Sequence, residues 1–294
     1  MKILKKLFLA TILLIFSQGS AQPFADIANF NYQSFSVTNK SNAALENTTE
    51  IYSLGIFLPK ELKNGNVLLF RINTELIQAS VSPKITKSTN VSSISLPLGY
   101  QWISESKKWK SVLIGIPKLA SDFEAPISSK DFQYGIVFIE NYKLKDELQI
   151  KAGFYFNREV FGNFFVPLIG IDWKPSDRWQ FFGILPTNYK IEYTIKKKKW
   201  YTGINFKAFT RSFQLSESQN KDYVRFDEVV LKSFIEYYCF NNFIAYAEIG
   251  HSFGNSPLQY KSNTNEISNS NLNFSTEKNY LTFSFGFAYR IRSE

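Results

Sequence analysis

From position 281 to 291, large apolar and small or polar residues alternate one for one: Leu281, Phe283, Phe285, Phe287, Tyr289 and Ile291 against Thr282, Ser284, Gly286, Ala288 and Arg290. A period of two puts successive side chains on opposite faces of a strand, so the run predicts a strand with one continuously apolar face. Six large apolar positions in a row make a long strand for a soluble sheet, whereas a strand crossing a bilayer needs ~9–11 residues. Ile94, Leu96, Leu98, Tyr100 and Trp102 repeat the pattern, as do Leu148, Ile150, Ala152, Phe154 and Phe156. A period of 3.6 is nowhere sustained, and the chain reads as all-β.

Reading every such run predicts fourteen strands near 29–37, 48–58, 65–75, 92–103, 108–117, 131–142, 147–157, 164–173, 178–184, 188–195, 199–210, 224–238, 242–251 and 279–291. Their connections alternate in length. Those at 59–64, 104–107, 143–147, 174–177, 196–198 and 239–241 are short and polar; those at 76–91, 118–130, 211–222 and 252–278 are long and rich in Ser, Asn and Thr. Pro186-Thr187 is the exception, a very short joint where a long loop is expected. Short turns on one side and long loops on the other are the mark of outer-membrane barrels. The expected architecture is therefore a transmembrane antiparallel up-and-down β-barrel of about 14 strands, in the range 12–14, with the last strand closing on the first and both termini on the short-turn, periplasmic side. Pro97, Pro117 and Pro167 fall inside strands, where proline cannot donate to the ladder, and bulges are expected there.

The tryptophans give a separate reading of the same topology. Trp102 and Trp109 flank the turn at 104–107, Trp173 and Trp179 flank 174–177, and Trp200 follows 196–199. Aromatics gathered at one end of the strands form the belt expected at a membrane interface.

Composition and the N-terminus then set the compartment. Lys2, Lys5 and Lys6 precede the apolar run 7–16, and small residues follow to Ala21. This is the pattern of a secretory signal peptide cleaved after Ala21, leaving 22–294 as the barrel and lowering the formal charge from +9 to +6. The single cysteine, Cys239, excludes an intramolecular disulfide, and with His251 the only histidine the usual zinc constellations are excluded as well. No phosphate-binding loop or Ca²⁺ loop of the usual spacing is present, and no cofactor is expected.

Two stretches carry a resemblance. Ser284, Gly286, Tyr289 and Ile291 resemble the C-terminal signal read by the outer-membrane barrel assembly machinery, departing from it in the trailing Arg292-Ser293-Glu294 and in lacking a terminal aromatic. The middle third, with Tyr134-Gly135, Phe156-Asn157-Arg158-Glu159, Pro167-Leu168-Ile169-Gly170, Trp173-Lys174-Pro175-Ser176-Asp177-Arg178-Trp179 and Leu185-Pro186, resembles a family of uncharacterised outer-membrane β-barrel proteins of Gram-negative bacteria. The resemblance implies fold and location; the family carries no established activity.

With the apolar faces outward, the lumen receives Arg71, Lys151, Glu192, Lys207, Glu228, Lys232, Glu236, Glu248 and Arg290. Glu228, Lys232 and Glu236 share one face, but at ~3.3 Å per residue neighbours four apart are roughly 13 Å distant. Pairing across strands, such as Glu236 or Glu248 with Lys207, fits structural or selectivity-setting ion pairs better than acid–base catalysis. A Ser–His hydrolase would have to use His251 as its base, and Ser252, adjacent on the same strand, points to the opposite face. The run Lys196–Lys199 before Trp200 reads as a solvated turn near lipid headgroups rather than a nucleic-acid site. The function expected is a porin-like passage for a small solute, with outer-membrane lipid and the assembly machinery as partners. The alternative is a structural or surface-interaction barrel presenting its external loops, and a barrel hydrolase ranks third.

Overall fold

The computed structural model describes residues 23–38, 46–82, 89–216, 223–253, 258–261 and 279–292. The expected leader, 1–21, lies outside them, as does most of the longest connection. Sixteen strands follow in order: β1 (Phe24–Thr38), β2 (Glu46–Glu61), β3 (Val67–Ser82), β4 (Thr89–Ser95), β5 (Leu98–Ile103), β6 (Trp109–Ser121), β7 (Phe132–Lys145), β8 (Leu148–Glu159), β9 (Gly162–Trp173), β10 (Trp179–Ile184), β11 (Asn188–Lys196), β12 (Trp200–Gln214), β13 (Tyr223–Phe240), β14 (Phe243–Ser252), β15 (Leu258–Lys261) and β16 (Tyr280–Arg292). β4 and β5 are two halves of one stave, keeping a single register against β3 and β6. β15 only flanks the far end of β13, beyond the reach of β14. The staves therefore number fourteen, and β1 pairing antiparallel with β16 closes them into a ring. This is the fold of an outer-membrane β-barrel, as the resemblance implies.

Burial alternates along every stave. In β16, Leu281, Phe283, Phe285 and Phe287 are exposed on the outer face while Thr282, Ser284, Gly286 and Arg290 are buried on the inner one. An outer surface this apolar is stable only against lipid. All five tryptophans sit at the end where the turns are tight. Four meet aromatic neighbours on adjacent staves: Trp109 with Tyr142, Trp173 with Phe181, Trp179 with Tyr193, and Trp200 with Tyr237; Trp102 stacks against Tyr100 of its own strand.

Toward the opposite, loop end the alternation persists but its phase inverts. In β1 the inner Asn31 and Gln33 give way to Phe35 and Val37, and the outer Phe30 and Tyr32 to Ser34 and Ser36. In β3, inner Asn73 and Glu75 are followed by Ile77 and Ala79, with Gln78 outside. These apolar inner positions pack into one cluster of Phe35, Val37, Ile51, Ile77, Val91, Ala120, Phe213, Leu215, Val224, Phe226 and Tyr280. Apart from Leu215, just past β12, its members come from eight strands. About eight strands enclose a space that side chains just fill.

A shortcut in the wall reduces the ring to that size. β12 swings across to β6, where Gln214 and Ser121 make a parallel bridge and the Asp122 N–H donates to the Gln214 carbonyl at 3.0 Å. The ends of β7 and β8 then cover the outer face of β12. Ser212 donates to Glu159 from both N–H (2.8 Å) and Oγ (2.7 Å), and its carbonyl accepts from Gln133 Nε2 at 2.9 Å. The crossing is possible because β10 and β11, with 6 and 9 residues, are the short staves of this arc. Their joint is indeed minimal, with the Leu185–Pro186 peptide cis.

The prolines do not produce the expected bulges. Register shifts occur instead between Asp26 and Ala28, Lys143 and Lys145, Thr194 and Lys196, and Tyr238 and Phe240. Leu96-Pro97 interrupts β4/β5 opposite Pro117 without a shift, so the missing donors simply leave a gap in the ladder. Pro167 lies at a true edge. Among the described residues, β9 meets β10 only through Phe181↔Trp173 and the Ile169↔Leu185 bridge, and above Ile169 no strand faces it on that side.

Candidate functional site

The inner face of the barrel holds a ladder of ion pairs that rises from the turn end. At the bottom, Arg292 forks onto Glu192 (2.6 and 3.0 Å) and donates to Tyr238 Oη at 3.0 Å. Arg290 forks onto Asp26 (2.6 and 3.0 Å) and reaches Glu236 at 2.7 Å. Lys190 donates to the same Glu236 at 2.5 Å, and Phe24 lies 3.4 Å under the Arg290 guanidinium. Lys151 pairs with Asp172 at 2.7 Å, whose other oxygen accepts the Gly183 N–H at 3.2 Å, filling part of the thin β9–β10 seam.

One level higher, buried Lys232 donates to Gln33 (2.8 Å) and Ser284 (2.6 Å) and lies 3.5 Å from Glu248. Glu248 also accepts from Asn205 at 3.1 Å and stands 3.9 Å from Lys207. Gln33 passes the chain on to Glu228 at 2.5 Å, and Arg211 joins Glu228 to Glu75 directly beneath the apolar cluster. Bidentate and charge-assisted bonds of this kind offset the cost of taking charges out of water.

All nine charges singled out from periodicity, Arg71, Lys151, Glu192, Lys207, Glu228, Lys232, Glu236, Glu248 and Arg290, lie on this inner face. The pairings differ in part: Lys207 meets Glu248, while Glu236 goes to Lys190 and Arg290. Sequence reasoning missed Asp26, Lys190, Asp172, Arg211 and Arg292. Lys190 shares the face of Glu192 and was legible from spacing alone. Asp26 and Arg292 lie outside or at the limit of the strands that hydrophobic alternation marks; the β1–β16 register sets Asp26 opposite Arg290, and Arg292 reaches Glu192 of β11.

Of the positions resembling the assembly signal, Ser284 and Gly286 face inward and Tyr289 outward, where it accepts from Asn242 at 3.3 Å and packs edge-on against Phe243. Ile291 is buried beside the β1 bulge. Gly286 is where Tyr246 fits: a Cβ there would come within 2.4 Å of the tyrosine oxygen, which lies 3.2 Å from Asn31 Oδ1. His251 points out of the barrel between Leu231 and Leu281, against Phe253. Ser252 points in and donates to the Val229 carbonyl. The two therefore do not form a nucleophile–base pair. Among the described residues no group of His, Cys, Asp and Glu is arranged to hold a metal ion.

The charges do not fill the lumen. A chamber of about 590 Å³ opens at the turn end, with Lys190, Lys207, Glu236, Glu248 and Arg290 on one wall and Phe57, Val67, Leu69 and Ile103, interspersed with Glu61, Gln101 and Lys110, on the other. Above it a smaller cavity of about 220 Å³ is lined by Asn29, Gly55, Asn73, Glu75, Lys118 and Arg211. Arg71 lines the first, and its bonds to Asn73 (2.8 Å) and Asn29 (3.5 Å) run along the boundary between the two. Over the second lies the apolar cluster.

No family model matches the chain, and no curated protein matches it in sequence. Among solved structures it is similar to the translocator domain of the autotransporter NalP from Neisseria meningitidis, at 9% identity and a TM-score of 0.41 over 96% of this chain and 95% of that one. It is also similar to the COG4313 outer membrane channel from Pseudomonas putida F1, at 7% identity and 0.45 over 91% and 96%, and to the NanC porin, at 8% and 0.37 over 90% and 100%. Likeness this slight assigns no role to the chain.

Proposed function

We propose that the protein is an outer-membrane barrel that serves as a passage for a small solute and is shut in the state described. The observation that carries this reading is the unfilled lumen: a charged chamber at the turn end and a second cavity above it lie beneath the apolar cluster. A barrel with a purely structural role gains nothing from leaving such a volume open, since empty or watery space forgoes packing. The exported chain, cleaved after Ala21, inserts with its aromatic-rich turn end at the periplasmic interface, so the chamber faces the periplasm.

Conductance in planar bilayers tests the proposal. The wild-type protein is silent, because Phe213 and Phe226, both fully buried, close the axis. Phe213→Ala, at a cost of about 3–5 kcal/mol for a cavity of that size, opens stepwise conductance in protein that still migrates as folded barrel on unheated gels. Steady conductance of the wild type would show that the cluster is no seal. A folded, inserted and silent Phe213→Ala would remove the passage.

A second reading has its own observation. β2, β3, β12 and β13 have 15 to 18 residues, more than the ~9–11 needed to cross, so a filled wall projects past the membrane as a platform for surface contact. Under this reading, deleting 262–277 abolishes binding to a surface partner and leaves the conductance of Phe213→Ala unchanged.

A further inference from the structure

We propose that the turn-end chamber is a binding site for a small organic anion with an apolar body, such as an aromatic carboxylate, and that Arg71 is its anchor. The inference deepens the passage reading by naming the class of solute.

The lumen arginines differ in one respect. Arg290 holds Asp26 and Glu236, Arg292 holds Glu192, and Arg211 holds Glu75 and Glu228. Among the described residues Arg71 has no carboxylate within ion-pair distance. Two amide oxygens take two of its N–H groups, and a guanidinium carries five. Its position is also prepared from behind: a Cβ on Gly55 would lie 2.4 Å from Asn29 Oδ1 and 3.1 Å from Arg71 Nη2, so the glycine leaves room for the pair. A half-buried guanidinium with no carboxylate in contact is costly, and a bound carboxylate or phosphate supplies that contact in fork geometry.

The rest of the chamber describes the remainder of the ligand. Of its four carboxylates, Asp26, Glu236 and Glu248 already hold Arg290, Lys190, Asn205 and Lys232, and Glu61 stands at the turn end of β2. Lys207, only 3.9 Å from Glu248 and a third exposed, is the second cation an anion meets. The facing wall sets the apolar side chains of Phe57, Pro59, Val67, Leu69 and Ile103 among Glu61, Gln101 and Lys110. A volume of about 590 Å³ lies within the usual range of small-molecule sites, ~300–1,000 Å³. A bare inorganic ion would leave that wall in water; a neutral hydrocarbon would leave Arg71 unpaired.

Calorimetric titration of the full barrel in detergent micelles tests this with four probes: benzoate, its neutral isostere benzamide, acetate and inorganic phosphate. Benzoate is expected to bind at least tenfold tighter than the other three. Arg71→Gln should weaken benzoate tenfold or more and leave benzamide unchanged, while Arg71→Lys, which keeps the charge and loses the fork, falls between. Lys207→Gln should weaken benzoate by a smaller factor. Unheated-gel migration shows that each variant is folded, and Arg71→Lys keeps the comparison valid if Arg71→Gln is not. Equal binding of benzoate and benzamide, phosphate or acetate binding as tightly as benzoate, full benzoate affinity in Arg71→Gln, or no benzoate binding would each overturn the proposal. The measurement does not depend on conductance. A barrel that binds benzoate but stays silent as Phe213→Ala refutes the passage and not the site; one that conducts without binding benzoate refutes the site and not the passage.

Discussion

Gly286 and Tyr246 show how single residues set the interior. The tyrosine lies inward on β14, across from β16, and only a residue without a side chain leaves space for its ring. Gly286→Ala would meet the Phe30 carbonyl at 2.2 Å as well, and backbone cannot give way as a flexible side chain does. The expected loss is about 1–3 kcal/mol, seen as a lower temperature for conversion of folded to unfolded barrel on gels. A glycine resembling part of an assembly signal thus has a packing role of its own.

Asp131 sets the β6–β7 connection in the same local way. Its carboxylate accepts from the Ser128 N–H at 2.6 Å and from Ser128 Oγ at 3.0 Å, closing a capping box on a short 3-10 turn. Burial favours the neutral acid, but these bonds outweigh it and hold the group below its ordinary value. Because the folded value is the lower one, its stabilisation is complete above the ordinary carboxylate range and is lost as pH falls through the folded value. Hydrogen exchange at Ser128 and Lys130 should therefore stay protected at neutral pH and rise on acidification. Asp131→Asn should raise it already at neutral pH and flatten its pH dependence.

At the scale of elements, the free side of β9 explains where proline is tolerated. Ile169 exchanges both backbone bonds with Leu185, at 3.1 and 2.7 Å, and Pro167 lies two residues earlier on the same side, where among the described residues no strand waits for a donor. Pro167→Ala should change thermal stability by less than about 1 kcal/mol, mostly through the unfolded chain. Ile169→Pro, which deletes a bond that is made, should cost distinctly more in the same melting assay. The edge also shows what sequence could and could not tell. The existence, number and facing of the fourteen staves followed from alternation, because a lipid-facing surface demands an apolar residue at every second position. Alternation ends the strands short, at 75, 117 and 210, since beyond them the polarity changes face: Leu76 is still outside, but Ile77 and Phe213 are inside. A search for one continuous apolar face stops at that inversion although the strand continues. The bridge from β12 to β6 had no local signal, being a consequence of two short staves on the far side of the ring.

At the scale of the whole molecule, one chain builds two interiors. The lower lumen is partly empty and lined by charges, among whose described arginines Arg71 alone has no carboxylate in contact; the upper is apolar. If the cluster is the only obstruction, the charges beneath it decide what passes once it is removed. In the Phe213→Ala background, Arg71→Glu should shift the reversal potential under a salt gradient toward cation selectivity, with Lys207→Glu acting in the same direction. An unchanged potential would place the current outside the chamber.

The apolar cluster has one more consequence. Under the passage reading, the cluster makes the chamber a well open toward the turn end, so whatever enters there must leave by the same way. Its occupancy then follows the concentration of ligand in the one compartment it opens to, at equilibrium and without net flow. On the same reading, the rate of any traffic is set instead by how often Phe213 and Phe226 part. Affinity and throughput are thereby assigned to different residues, and each can change without the other.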